Sequence, residues 1–259
     1  MGLMETINFY PVDDPEKTKL PDGGALLDIP ELHPVPASKV MPEWWNKLNT
    51  YQNQGLEGAE NTPFKRIEFE SATAKACRPM AEFLLSGYII PLWCEYMFKR
   101  DPAAGWIYSS TRWSTDGHRG EQLGDGLKSQ KLFQKGHVVK FMNPWQIVTP
   151  PGYSCLFIKP FYHFEDRFEI MPAIVNTDLF DATVNFPALV RSENCRDQFV
   201  LEMGYPLVLV IPFKRTDWRS VIQAVPHEVD KKARVFKYRM KNALNLIYHR
   251  FCKANIIYK

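Results

Sequence analysis

A chain of 259 residues, 45% of them hydrophobic and with a net charge of only +3, can bury a continuous core as one large domain or two small ones, so its stability needs neither a metal nor a disulfide. Its five cysteines, Cys77, Cys94, Cys155, Cys195 and Cys252, are odd in number, far apart and without a CxxC pair, which speaks against a zinc knuckle or a secreted disulfide framework and for a reducing compartment. No apolar run approaches the roughly 20 residues of a membrane-spanning helix, and the start MGLMETINFYPVDD has neither the basic opening nor the apolar centre of a signal peptide, so a soluble, intracellular protein with no membrane partner is expected.

Gly2 followed by Thr6 matches the loose myristoylation pattern, although Met4 is an equally good start. Twenty prolines and 14% aromatic residues predict many short extended segments joined by rigid turns. From Pro11 to Pro42 the chain is rich in proline, aspartate and glycine and lacks periodicity, which excludes a long helix and predicts an extended arm. MPEWWNKLNTYQNQ then places Trp44, Trp45, Leu48 and Tyr51 at spacings of three and four behind Pro42 and Glu43. That spacing predicts a short helix whose aromatic face either plugs the core or anchors in a partner's groove, making Trp44 and Trp45 candidate partner-binding residues.

Residues 72 to 86 predict a helix interrupted or restarted at Pro79 and closed by Gly87. YIIPLWCEYMFKRD and AGWIYSSTRW predict neighbouring antiparallel strands turning at RDPAAG. GHVVKFM, WQIVTP, YSCLFIKP, RFEIMPAIVNT, TVNFPALV and PLVLVIPFK are further strand candidates without intervening helical periods. The pattern predicts a mainly β, α+β protein: an antiparallel sandwich or jelly-roll-like body.

The C-terminus differs in charge. Asp230 to Lys259 carries nine Lys or Arg against one acidic residue, a net +8 where residues 1 to 229 carry −5. Phe236, Met240, Ala243, Leu244, Ile247 and Phe251 fall on one helical stripe, with Lys232, Lys237, Arg239, Lys241 and Asn245 largely elsewhere. A basic amphipathic helix packed on the β body is expected. Lys232, Lys237, Arg239 and Lys241 are candidate contacts for an acidic partner or, on charge alone, nucleic acid. The expected organisation is an arm with a short helix over 1 to 60, a β-rich core over 61 to 229 and the basic helix over 230 to 259.

Candidate chemistry is sparse. YHFEDRF sets Glu165 two residues after His163, the spacing of an iron-binding His-x-carboxylate pair on one strand face, with His227 or His249 as the distal histidine. STDGHRGEQLGDGLKSQ lacks the Gly-Lys-Ser/Thr ending of a phosphate loop, since Leu127 precedes Lys128 and Ser129, and Gly117, Gly120, Gly124 and Gly126 fit no dinucleotide fingerprint. His118 and Gln122 could hydrogen-bond a ligand there. No GxSxG elbow and no HExxH occur; Ser154 lacks the second glycine, and Cys155 suits a core better than a nucleophile.

GYIIPLW (87 to 93), FMNPWQI (141 to 147), TPPGYSCLF (149 to 157), NTD (176 to 178) and VNFP (184 to 187) resemble an uncharacterised family encoded by tailed phages of marine cyanobacteria and by some bacteria. The resemblance covers roughly residues 75 to 215. It implies a β-rich domain and a phage setting, in the host cytoplasm or virion, and carries over no activity or catalytic residue. TPPGY itself is expected to be a tight corner, with Trp145, Ile147, Tyr153, Cys155 and Phe157 facing inward. The expected function is a non-enzymatic phage structural or interaction protein without a cofactor, bound to other phage proteins or to itself. The alternative is a cupin-like iron- and 2-oxoglutarate-dependent oxygenase using His163 and Glu165.

Overall fold

A computed structural model describes residues 5–12, 25–55, 68–102, 105–110, 129–131, 136–191 and 196–242. In chain order the regular elements are β1 (Asn8–Pro11), β2 (Val35–Pro36), α1 (Glu43–Lys47), β3 (Tyr51–Gly55), β4 (Glu68–Ala72) and α2 (Arg78–Leu84). There follow β5 (Tyr88–Pro91), β6 (Tyr96–Asp101), β7 (Gly105–Ser110), β8 (Gly136–Phe141), β9 (Trp145–Val148) and β10 (Tyr153–Ile158). The last are β11 (Phe168–Ile170), β12 (Ala173–Val175), β13 (Phe186–Arg191), β14 (Gln198–Leu201), β15 (Pro206–Lys214) and α3 (His227–Asn242). The protein is mainly β, with antiparallel sheets forming a sandwich-like α+β body.

The chain divides into two compact units, Met1–Val40 with Gly87–Arg215, and Met41–Ser86 with Thr216–Lys259. In the first, a five-stranded sheet runs β12-β10-β15-β5-β2, three-stranded sheets run β11-β13-β8 and β14-β6-β7, and β1 pairs with β9. β15 is central and is buried from Leu207 to Val210 without alternation, because both of its faces are covered. β6 and β9 alternate instead, burying Tyr96 and Phe98, then Trp145 and Ile147. These side chains join Trp93, Phe141, Phe157, Phe168, Val208 and Val210 in one core. The proline-rich N-terminal stretch is tied into this unit by the β1–β9 pairing and by Leu26 and Leu32, both in the core.

YIIPLWCEYMFKRD, expected as one strand, is split into β5 in the five-stranded sheet and β6 in another, and only β6 makes the expected pairing with β7, Tyr96 opposite Ser110 and Asp101 opposite Gly105. RFEIMPAIVNT, expected as one strand, is two. β11 lies in a three-stranded sheet and β12 in the five-stranded one; Pro172 cannot donate to a ladder, so the chain changes sheets at Met171–Pro172. TPPGY is a corner of the same kind: β9 pairs with β1, whereas β10 pairs with β12 and β15.

In the second unit, β3 and β4 form a hairpin, Tyr51 opposite Ala72. The predicted helix of residues 41 to 54 therefore ends at Lys47, and Tyr51 stands exposed on a strand instead of on its face. Thr73 ties the hairpin's end down: its hydroxyl donates to the Asn49 carbonyl and accepts from the Lys75 amide, capping the turn Ala74–Ala76. Pro79 sits in the first turn of α2, where its missing N–H costs nothing, so the helix begins there and is not broken. His118, Gln122 and their glycine-rich loop, the myristoylation pattern's Gly2, and the stripe positions from Ala243 onward lie outside the described residues.

Candidate functional site

Two polar networks fix the loops of the first unit. One surrounds the segment after β10. Pro160 leads into a single 3-10 turn, Phe161–His163, and Phe164 then takes the left-handed conformation at φ 50°, uncommon for a bulky residue and costly unless its surroundings hold it. Those surroundings are Glu165 and Arg167. The Glu165 carboxylate accepts the Arg167 amide at 2.8 Å, Nε at 2.9 Å and a terminal guanidinium nitrogen at 2.7 Å, and the Tyr205 hydroxyl at 3.0 Å. Burial works to raise its pKa; the hydrogen bonds and charge of Arg167, with Tyr205, outweigh it and hold the carboxyl below its ordinary value. Tyr205 is pushed up, by burial and then by the carboxylate beside it.

The same loop is tied from its other side. Lys159 Nζ donates to the carbonyls of Glu165 at 2.6 Å and Phe168 at 3.3 Å and to Glu169 at 2.9 Å, and Arg191 reaches Glu169 at 3.1 Å. The Arg167 guanidinium lies 5.2 Å over the Phe199 ring. What this framework presents is apolar: Phe161 and Phe164 are 61% and 62% exposed, and with Tyr162 they form a mutually edge-on cluster.

His163 and Glu165 do not share the strand face that their spacing predicts. His163 belongs to the 3-10 turn that Pro160 starts, and the left-handed Phe164 separates the pair. Burial pulls the His163 pKa down, opposed by a hydrogen bond with the Val40 backbone. Iron at Glu165 would have to displace Arg167 and Tyr205. His227 is exposed at the start of α3 in the second unit, and His249 lies outside the described residues. Among the described residues no group of three or more His, Cys, Asp or Glu side chains is placed to hold a metal. As described, His163 and Glu165 do not form the His-x-carboxylate pair of one strand face.

Of the partner-binding candidates, Trp45 is buried and Trp44 half-buried, their rings edge-on at 5.6 Å. Lys232 is exposed on α3, and Lys237, Arg239 and Lys241 occupy later positions of the same helix.

The second network explains the TPPGY corner. Gly152, at φ +85°, donates its amide to Asp178 at 2.8 Å. Arg215 grips Asp178 through both terminal nitrogens and also donates to the Tyr153 carbonyl at 2.7 Å and the Ser154 hydroxyl at 3.0 Å. Ser154 donates to Asn176 at 2.8 Å, and Thr177 bridges Thr149 at 2.7 Å and the Cys155 sulfur at 3.4 Å. TPPGYSC and NTD are thus two sides of one lock between β10 and the segment after β12. Its serine and cysteine are engaged in structure: Ser154 donates to an asparagine, with no general base beside it among the described residues, and burial pushes the Cys155 thiol up to about 11.

The aromatic loop was not singled out from the sequence. The run PFYHF before E-x-R was its visible signal; Tyr205, forty residues from Glu165 along the chain, had none. No protein-family model matches the chain, and no curated protein matches it.

Proposed function

We propose that the protein is a non-enzymatic structural or interaction protein that docks through the aromatic loop at 160 to 164, and, from the family resemblance, that it belongs to a phage particle. The observation that carries this is the pairing of exposure with rigidity. Phe161 and Phe164 stand mostly in solvent while the backbone beneath them is held by the Glu165–Arg167–Tyr205 and Lys159–Glu169 hydrogen bonds. Apolar anchors already ordered before binding lose little entropy on docking, and aromatic anchors are where interface energy concentrates. The second network supports the same reading, because its serine and cysteine are spent on structure.

The test is quantitative mass spectrometry of purified particles from host cells infected with the phage that encodes the chain. A fixed copy number per particle is expected, falling at least tenfold in a Phe161→Ser/Phe164→Ser variant that keeps its fold, as loss of about 2 kcal/mol or more at two anchors would give. Absence of the chain from particles and assembly intermediates overturns the reading.

A further inference from the structure

The segment that follows β15 is unusual for a connector. Every side chain from Thr216 to Val229 is exposed, Trp218 by 92% and Ile222 by 99%, with Val221 and Val225 also largely in solvent. Thr216–Val225 is neither helix nor strand, and among the described residues no backbone group pairs with it. With its backbone unpaired and its large side chains in solvent, the segment is free to add to a sheet edge. In extended form Trp218, Ser220, Ile222 and Ala224 share one face. Pro226, which cannot donate, ends the segment before α3.

A matching surface exists on the same chain. β12 is an edge strand of the five-stranded sheet, paired with β10 on one side, and Ile174 at its middle is 64% exposed. Phe157, opposite Ala173, leads within four residues to the aromatic loop, while Leu179 and Phe180, both exposed, follow β12's other end. Exposed apolar side chains therefore extend along the edge and past both its ends. Their charge setting is of opposite sign to the tail: the acids of residues 160 to 181, Glu165, Asp166, Glu169, Asp178 and Asp181, outnumber by one the cations bonded among them, Arg167, Lys159, Arg191 and Arg215, whereas residues 216 to 259 carry +7. An extended decapeptide spans roughly 33 Å, enough to cover β12 and reach beyond it.

We propose that the chain forms a closed dimer by exchanging this segment: Thr216–Val225 of each copy adds as a strand to the β12 edge of the other, bringing the basic α3 to the acidic stretch 160 to 181. Edge addition supplies main-chain hydrogen bonds, alternate side chains supply specificity, and opposite charges orient the approach. The isologous geometry closes at two copies. This deepens the interaction reading above by naming a second copy as a partner, and rests on it.

Sedimentation of the full chain tests it. The native protein is expected to be dimeric at micromolar concentration. Trp218→Asp/Ile222→Asp in the segment, or Ile174→Lys on the edge, should each weaken the dimer at least 100-fold while leaving the circular dichroism unchanged. Mixing the two variants should restore a one-to-one complex, since one intact segment meets one intact edge; a variant that failed to fold could not complement. A monomeric native protein, a dimer indifferent to both variants, or variants that fail to complement overturns the proposal. Particle incorporation is measured separately, so a monomer found in particles loses this inference alone, and a dimer absent from particles loses the phage-particle reading alone.

Discussion

At the scale of single residues, the strongest electrostatic commitment is Asp178. Hydrogen bonds from Arg215, against the cost of burial and with help from the Gly152 amide, pull its pKa from 3.8 down to about 2. A carboxyl whose folded pKa is depressed contributes stability that is complete above its unfolded value and lost as pH falls through the folded one. The Asp178 contribution should therefore fade between 3.8 and about 2. Denaturant midpoints followed downward from about pH 5 are expected to fall more steeply for the native chain than for Asp178→Asn, which cannot titrate; parallel profiles would sink the assignment. Glu165, also held below its ordinary value, accounts for part of the acid sensitivity that the variant keeps.

Among the elements, two glycines with similar positive φ separate strain from collision. Gly87, at φ +74°, precedes β5, and a Cβ there would run into the Val210 carbonyl oxygen of β15, whose strand pairs with β5. Gly152, at φ +85°, has open space where a Cβ would sit. Gly152→Ala should cost only the left-handed penalty, about 1–2 kcal/mol, whereas Gly87→Ala must also part β5 from β15 and should cost clearly more by chemical denaturation. Equal costs would mean that β15 yields freely. Strands of this kind were legible in the sequence because alternation and turn chemistry are local: WQIVT and YSCLF on either side of TPPGY needed only the prolines and a glycine. The limit of α1 was not, since Trp44, Trp45, Leu48 and Tyr51 have helical spacing and only the distant partner Ala72 makes Tyr51 a strand residue. The site was less legible for the same reason. Arg167 sits two residues from Glu165 and could be seen; Tyr205, which completes the carboxylate's hydrogen bonds, is brought in by β15's place in the sheet, and Pro160 turned an expected strand face into a 3-10 turn.

For the whole molecule, the segregation of charge and the exposed segment lead to one measurable behaviour. Proteases need a stretch of unpaired, accessible backbone. The bond after Arg219 has it, since Thr216–Val225 is exposed and unpaired. The bonds after Lys99 and Lys140 lie inside strands and open only when those strands do. Limited trypsin digestion of the dilute full chain should therefore cut after Arg219 at least tenfold faster than at those two sites, as peptide-resolved mass spectrometry would record. A rate no faster than theirs would mean that the segment is covered even in the lone chain. Raising the concentration discriminates further: strand exchange pairs the backbone of Thr216–Val225, so cleavage after Arg219 should slow as copies associate, and added salt, which screens the +7 tail from the acids at the edge, should speed it again. In Trp218→Asp/Ile222→Asp the rate should stay high at every concentration, because the segment is then as exposed in a crowd of its own kind as it is alone.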